Sequence, residues 1–309
     1  MEGRLGLGKV TTEIFERSVL PFIPMDKELE LDGATIKLTQ RTVVAHSPSI
    51  GVPLDALGFF AFHYAACNVA CRFGLPTYMI TGIYLPLNTK EEDLKIISKN
   101  LGDEAKKFKV KIVAGQTATY LGLEIPFVST TCLGEQIKKT EKVLEDDLVF
   151  LIGEVGGEAV WLTELSHGSS NEHWRNFTAL PIIIDLHQFD GVKLLHDVSE
   201  GGVKGALIEI LKSHGLRLKF NLKNVVYAKD AKKLKQDLLR APTYGTLIAI
   251  VDASSAEQIQ RTCEIKGIPC SLIGSLKAGS GLYIDGEQIT EQARMEIDEI
   301  YGTFRQLEE

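Results

Sequence analysis

The chain has 309 residues, of which 44% are hydrophobic and 24% are charged, and 34 Lys and Arg against 41 Asp and Glu give a formal charge of −7. These values are typical of a globular protein and exclude a chain that is disordered throughout. The length predicts two domains or one large α/β domain. The acidic balance disfavours a nucleic-acid partner or an anionic membrane, and the basic pairs at 106–107 and 138–139 are typical of solvated faces.

The sequence predicts a cytoplasmic protein with no membrane partner. No stretch approaches the ~18 consecutive apolar residues of a membrane span, and the start of the chain lacks the apolar core of a secretory signal. The five cysteines are few for the length and odd in number, which predicts free thiols. Cys67 and Cys71 stand four apart without a second pair, so they make a poor zinc site.

Hydrophobic periodicity predicts strands and helices in alternation through the first half of the chain. The predicted helices cover 57–72 and 89–109, and the second opens at Thr89 with acidic residues in its first turn. The predicted strands cover 29–38, 42–46, 76–86, 110–115, 125–134 and 147–155. This β-β-α-β-α-β-β order is typical of a mixed α/β fold.

The second half is predicted to form a second domain. The charged segment at 140–150 leads into a buried strand, so we place the boundary there and expect domains at 1–144 and 145–309. Gly215 is expected to end a helix at 203–214. The other predicted elements are helices near 157–166 and 256–267 and strands at 216–220, 246–252, 269–276 and 280–286.

The segment HDVSEGG (196–202) places two acids, a hydroxyl and two glycines on a turn that opens a helix. Backbone N–H groups at such a turn attract phosphate, and carboxylate oxygens suit Mg²⁺. The candidate residues are Ser199, Gly201 and Gly202 for phosphate and Asp197 and Glu200 for the metal ion. The alternative is a helix N-cap, in which Ser199 or Asp197 bonds the first turn.

A second turn is predicted at 114–126, where Gly115, Gln116 and Thr117 present a small polar rim after a strand. Such a turn either lines a ligand pocket or simply joins two strands. His196 adjoins the late acidic turn, so His196 and Asp197 are the candidates for catalysis. No G-x-S-x-G elbow and no HExxH spacing occurs, which disfavours a serine hydrolase or a zinc protease.

Several segments, taken in order, resemble one superfamily over nearly the whole chain. HDVSEGGVKGAL is the most specific match, and GKVTTEIFERSVLPFI, FFAFHYAACNVACRFGLP and YGTLIAIV resemble an opening helix, a first long helix and a C-terminal strand. The superfamily is that of aminoimidazole ribonucleotide (AIR) synthetase and the hydrogenase maturation protein HypE. Within it, the chain is most similar to archaeal HypE-like, AIR-synthase-related proteins.

The resemblance implies a PurM-like α/β (α+β) fold of two domains. The N-terminal mixed sheets of two subunits would join in a dimeric barrel, and an α/β domain would follow. The resemblance also implies that ATP and Mg²⁺ bind, and that ATP activates an amide-type oxygen, for which metal-held carboxylates neutralise the phosphates.

Part of the family's acidic set is kept at the matching positions. Asp32 corresponds to the family's first acid, and Asp197 and Glu200 remain in the late turn. The resemblance therefore implies that these three residues would hold the metal ion.

Other matching positions have lost their charge. The strand that in the family ends in Asp before Pro reads HSPS (46–49), and the Asp of the family's Asn-Asp falls on Asn68 or Val69. The turn at 114–117 reads AGQT in place of two glycines and an acid or His. Since hard cations need a dense set of oxygens, only weak binding of Mg²⁺ and ATP is expected. The chain also ends in FRQLEE, without the terminal cysteine of HypE, which disfavours HypE's own dehydration chemistry.

Two functions remain open. The first is an ATP-dependent, ligase- or dehydratase-like enzyme that activates an amide or carboxylate oxygen of a small, phosphorylated ligand. The second is a catalytically inactive member that serves as a binding or assembly partner in metalloenzyme maturation. A homodimer is expected in both cases, because the helix GFFAFHYAACNVAC (58–71) is too apolar all round to face solvent.

Overall fold

A computed structural model describes residues 5, 7–24, 36–38, 41–169, 171–199 and 201–289 of the chain. The chain divides into two compact units, Met1–Lys139 (unit 1) and Thr140–Glu309 (unit 2). The predicted strand at 29–38 lies mostly outside the described residues, and its last part, 36–38, has no strand structure.

Unit 1 has one five-stranded sheet and three helices among its described residues. The helices are α1 (Thr12–Ser18), α2 (Leu54–Cys71) and α3 (Glu91–Lys107). The strands are β1 (Gly8–Lys9), β2 (Thr42–Ile50), β3 (Gly74–Pro86), β4 (Lys111–Tyr120) and β5 (Phe127–Gln136). The strand order is β1-β4-β3-β5-β2, with β3 and β4 parallel and the other pairs antiparallel. The sheet is therefore mixed, as predicted.

The apolar helix α2 is buried within unit 1, between the sheet and α3. A Cβ atom at Gly58 would lie 2.3 Å from the carbonyl oxygen of Ile97, so glycine at this position lets the two helices approach closely. By length and composition, α2 is the one described helix that could cross a membrane, and 78% of it is buried inside the unit. The expectation that this helix does not face solvent is confirmed, but its burial is explained within one chain, so the helix does not support a homodimer and the homodimer stays a prediction.

Two predicted strand ends in unit 1 are also wrong. β2 continues past His46 to Ile50, because it is an edge strand and Pro48 can stand in such a strand without breaking an inner ladder. β4 runs through the predicted turn to Tyr120, because the segment 114–120 pairs residue by residue with β3.

Unit 2 consists of a seven-stranded sheet and four α-helices among the described residues. The helices are α4 (Gly157–Ser166), α5 (Leu180–Leu186), α6 (Gly202–His214) and α7 (Ala256–Ile265). The strands are β6 (Leu148–Ile152), β7 (Val192–Asp197), β8 (Leu216–Phe220), β9 (Leu247–Val251), β10 (Cys270–Ala278), β11 (Gly281–Ile284) and β12 (Glu287–Ile289). Their order is β12-β11-β8-β10-β6-β9-β7.

The core of unit 2 lies between α6 and the sheet. Val203, Leu207 and Ile210 of α6 pack with buried residues of the strands, among them Leu218 and Ile250. Gly215 ends the helix as predicted, with φ +65° and its N–H donated to the carbonyl oxygen of Leu211. The mixed α/β fold class is confirmed in both units.

Candidate functional site

Two positions of unit 1 where the resemblance expects carboxylates lie next to each other. Ser47 is in the middle of β2, and Asn68 is near the end of α2, which packs on β2. The Asn68 amide nitrogen Nδ2 donates a hydrogen bond to Ser47 Oγ over 3.2 Å. A neutral amide and a hydroxyl therefore stand together at these two positions.

Ser47 begins a row of small polar residues across the sheet. The strand register pairs Ser47 with Thr130 of β5, Thr130 with Thr81 of β3, and Thr81 with Gly115 of β4. Residues paired in this way share one face of a sheet, and this is the face that α2 covers. We call Ser47, Thr130 and Thr81 the hydroxyl row.

Two hydroxyls on this face lack a partner. Within the described chain, Thr130 Oγ1 and Ser49 Oγ are fully buried and have no hydrogen bond. A buried hydroxyl left unpaired costs about 1–3 kcal/mol, so such groups in a folded protein call for an explanation. An additional polar group bound here would supply one.

The residues Gly115, Gln116 and Thr117 do not form a common rim, because they lie within β4 rather than in a turn. Successive strand residues point to opposite faces, so Gly115 and Thr117 share one face of the sheet while Gln116 pairs with Gly82 on the other one. A Cβ atom at residue 115 would lie 2.4 Å from the carbonyl oxygen of Thr81. Glycine at 115 is thus required by the neighbouring strand, and a phosphate is not needed to explain it.

In unit 2, His196 and Asp197 end β7. The His196 Nδ1–H donates to the backbone carbonyl oxygen of Asp197 over 2.7 Å, and Nε2 lies 3.5 Å from Glu209 Oε2 on α6. The Asp197 side chain is buried. The imidazole therefore contacts the backbone of Asp197 and not its carboxylate, so the two side chains do not form a His-Asp catalytic pair.

The glycines before α6 have different surroundings. A Cβ atom at Gly202, where φ is +62°, would lie 2.5 Å from the carbonyl oxygen of Leu239 and 2.9 Å from that of Ala241. At Gly201, the nearest atom to a Cβ would be the Cα of Gly205 at 3.4 Å, which is ordinary contact. The backbone at 239–241 therefore explains why residue 202 is a glycine, and phosphate binding at Gly202 stays a prediction.

The segment 237–241 is held against the start of α6 by polar contacts. Lys204 Nζ lies 2.5 Å from Asp237 Oδ2, and the Lys204 backbone N–H donates to the Leu239 carbonyl oxygen over 2.9 Å. Ser199 uses its carbonyl oxygen to accept from the Gly202 N–H over 3.0 Å. Part of the hydrogen-bonding capacity at this helix start is therefore used within unit 2.

The expected metal site is incomplete among the described residues. Asp32 and Glu200 lie outside them, and Asp197 is the one predicted ligand inside. The described part of the chain holds no group of three or more His, Cys, Asp or Glu placed to bind a metal ion. The described side chains alone therefore do not fit Mg²⁺, while the hydroxyl row and Asn68 suit the hydrogen bonds of a polar ligand.

Sequence reasoning missed Thr81, Thr130 and Ser49. The alternation of Ser47 and Ser49 along β2 is a signal for a polar strand face, but it is visible only once β2 is known to continue beyond His46. The contact between 239–241 and Gly202 has no local sequence signal, since nearly 40 residues separate them.

The family model for AIR synthase related protein, N-terminal domain, matches residues 31–136, and the model for the C-terminal domain matches 145–287. Carbamoyl dehydratase HypE of Escherichia coli (strain K12) is 23% identical over 250 residues, 76% of this chain and 74% of HypE. Phosphoribosylformylglycinamidine synthase subunit PurL of Picrophilus torridus is 28% identical over 211 residues, 64% of this chain and only 26% of PurL.

Solved structures of HypE share the fold. The crystal structure of E. coli HypE has a TM-score of 0.78 at 20% identity and covers 92% of this chain and 96% of its own. A HypE structure in complex with ATP has a TM-score of 0.76 at 17% identity, with coverage of 91% and 95%. HypE from a HypE-HypF complex has a TM-score of 0.71 at 20% identity, with coverage of 82% and 90%.

Proposed function

The chain belongs to the AIR synthase related family, and on that premise we propose that it is a HypE-like protein that binds ATP or a related phosphorylated small molecule with little help from a metal ion. The observation that carries the proposal is the hydroxyl row together with Asn68 and Ser49, a polar strip that includes two buried, unpaired hydroxyls. A HypE structure contains ATP, which supports nucleotide as the ligand class.

Each group of the strip has a defined chemistry toward such a ligand. The half-buried side chains of Ser47 and Asn68 can hydrogen-bond to phosphate or ribose oxygens, and Asn68 offers both a donor and an acceptor. Bound ATP would supply a transferable phosphoryl group for activating an amide or carboxylate oxygen. The protein's part would be to orient the ligand and to satisfy its polar atoms, because the neutral Ser47–Asn68 pair adds no charge to hold a cation.

The experiment is equilibrium dialysis of labelled ATP against matched variants of two helical asparagines. Asn68→Leu removes an amide of the strip, while Asn100→Leu changes an amide on α3 that donates to its own helix at Ile96. Loss of one hydrogen bond at a binding site corresponds to about a tenfold weaker Kd, and this is expected for Asn68→Leu alone. Equal affinities for wild type and Asn68→Leu would remove the strip from the binding site.

The second candidate function is an inactive binding or assembly partner. It is favoured by the loss of carboxylates at Ser47 and Asn68 and by the known complex of HypE with HypF. The two candidates differ in one observable, because an assembly partner would form its protein complex without binding or consuming ATP. Complex formation with a maturation protein at saturating EDTA and no nucleotide would favour this second function.

We also propose that unit 1 forms a homodimer through the outer face of its sheet, the face opposite α2. Large apolar side chains on this face are exposed by 40–59%, namely Val44, Ile50, Ile80 and Tyr120. His46 lies among them, hydrogen-bonded to Thr131 and Ser129. An exposed apolar face of this kind is typical of a protein–protein interface.

A further inference from the structure

Basic residues are concentrated in one part of this acidic protein. The segment 204–240 contains ten Lys and Arg against three Asp and Glu, whereas the rest of the chain has 24 against 38. This segment includes all of β8, which lies near one end of the unit 2 sheet. The chain as a whole is therefore acidic, but this segment is strongly basic.

Two cations of this region and a third from β10 share one face of the sheet. Along β8, Leu216, Leu218 and Phe220 are buried while Arg217 and Lys219 are exposed. The register places Lys277 of β10 directly opposite Arg217. Together with Gly274 and Ser275, these three cations line a shallow depression of about 400 Å³, which we call the basic face.

The basic face lacks balancing charge. Like charges directly opposite each other on neighbouring strands destabilise a sheet, and Arg217 and Lys277 stand in that relation. Among the described residues, Asp146 pairs with Lys277, and no acid is recorded against Arg217 or Lys219. An anionic group on this face would relieve the repulsion.

The chain itself carries an acidic segment directly after β12. Residues 290–309, which lie outside the described residues, carry six Asp and Glu, two Arg and no Lys. They follow β12, and β12 is separated from β10 only by β11 and β8. Three strand spacings amount to roughly 14 Å. An extended chain covers this distance in about five residues, so twenty residues reach the face easily.

We propose that the acidic segment 290–309 docks on the basic face of its own unit 2. The covalent connection gives the segment a high local concentration, so weak, solvent-exposed ion pairs are enough to hold it. The same pairing makes the contact sensitive to salt, because exposed charges are screened within a few ångströms at 1 M ionic strength.

The test is zero-length crosslinking with a carbodiimide, which joins a lysine amine to a carboxylate that touches it. Full-length protein, mixed from ¹⁴N- and ¹⁵N-labelled batches, is treated at low salt, and crosslinked peptides are identified by mass spectrometry. The expected products join Lys219 or Lys277 to carboxylates of 290–309 within one isotopic species. At 1 M salt, their yield should fall.

Matched variants separate the basic face from general charge effects. Arg217→Glu leaves both reactive lysines in place and should lower their crosslinking to 290–309 about threefold, the scale of one exposed ion pair. Arg217→Gln serves as a milder second variant, and Lys212→Glu, at an exposed position on α6, should change nothing.

Three results would overturn the proposal. The first is that 290–309 crosslinks to Lys212 as much as to the basic face. The second is that crosslinked products form only between the two isotopic species. The third is that no products form while the protein binds heparin and Arg217→Glu abolishes that binding. The last result would assign the basic face to an external polyanion. None of these readouts involves ATP, so the test stands apart from the proposed nucleotide function.

Discussion

Gly202 and Gly215 have nearly the same backbone conformation in different surroundings, with φ of +62° and +65°. A Cβ atom would meet the Leu239 carbonyl oxygen at 2.5 Å in the first case and nothing within 4 Å in the second. Gly215→Ala should cost about 1 kcal/mol for the left-handed backbone alone. Gly202→Ala should lower the free energy of unfolding by roughly 2–4 kcal/mol, because steric overlap is added. Urea denaturation measures the free energy of unfolding of both variants. Equal decreases would mean that the backbone at 239–241 leaves room for a Cβ atom at residue 202.

The unpaired hydroxyl of Thr130 permits a second comparison at the residue scale. Thr130→Val removes a buried group without a partner, so the stability of the unliganded protein should stay level or rise by about 1 kcal/mol. Thr243 is equally buried, but its hydroxyl accepts from the Gly156 N–H and donates to the Ala241 carbonyl oxygen. Thr243→Val should therefore cost roughly 1–3 kcal/mol.

If Thr130 is kept for a ligand, its stabilising substitution should weaken ATP binding. The thermal denaturation of both variants, with and without ATP, gives this result in one experiment. If the Thr130→Val variant bound ATP as tightly as the wild type, the Thr130 hydroxyl would have no part in the binding site.

At the scale of elements, a buried hydrogen bond joins α2 to α3. His63 Nε2 lies 2.9 Å from Glu104 Oε2, and the imidazole is fully buried. Burial lowers the pKa of His63, and the Glu104 carboxylate offsets only part of this effect. The folded protein therefore binds this proton at a lower pH than the unfolded chain, whose His pKa is about 6.5.

The sign of the pH dependence follows from this difference. Below about pH 6.5 the unfolded chain holds the proton and the folded chain does not, so stability falls as the pH falls. The expected slope is at most about 1.4 kcal/mol per pH unit. Urea denaturation between pH 7.5 and 5.5 should show a shallower slope for His63→Gln than for wild type. The control variant His167→Gln, at an exposed position, should keep the wild-type slope. If the slope for His63→Gln were as steep as for wild type, His63 would not be the source of the pH dependence.

Sequence patterns could predict the helices better than the strand ends. The sharp periodicity and the acidic first turn of α3 predict both ends of this helix to within two residues. The residue before the helix is Lys90 and not the predicted Thr89, because the Thr89 hydroxyl donates to the Pro86 carbonyl oxygen. The extents of β2 and β4 depend on which strands lie beside them, and such information is not local. For the same reason the separate residues Ser47 and Asn68 could be noticed from sequence, but their contact and the hydroxyl row could not.

At the scale of the whole molecule, the proposed dimer depends on the outer face of the unit 1 sheet. Ile80 lies on the central strand β3 with its side chain exposed on this face, so Ile80→Glu puts a charge in the interface and should convert the dimer to a monomer. Ile265→Glu changes a side chain that is 77% exposed on α7 and should leave assembly intact. Sedimentation at micromolar concentration should give twice the 34.0 kDa chain mass for wild type and Ile265→Glu. A wild-type species of 34.0 kDa would refute the dimer.

At the same scale, we propose that a neutral polar strip binds nucleotide where the family resemblance expects a metal-loaded acidic site. Calorimetric titration of the full chain with ATP, once in excess Mg²⁺ and once in EDTA, tests it most directly. We expect weak binding whose Kd changes by less than about fivefold between the two conditions, because the neutral Ser47–Asn68 pair adds no charge to hold a cation. Tight binding that disappears in EDTA would contradict it, and no binding in either condition would leave the inactive assembly partner as the better account.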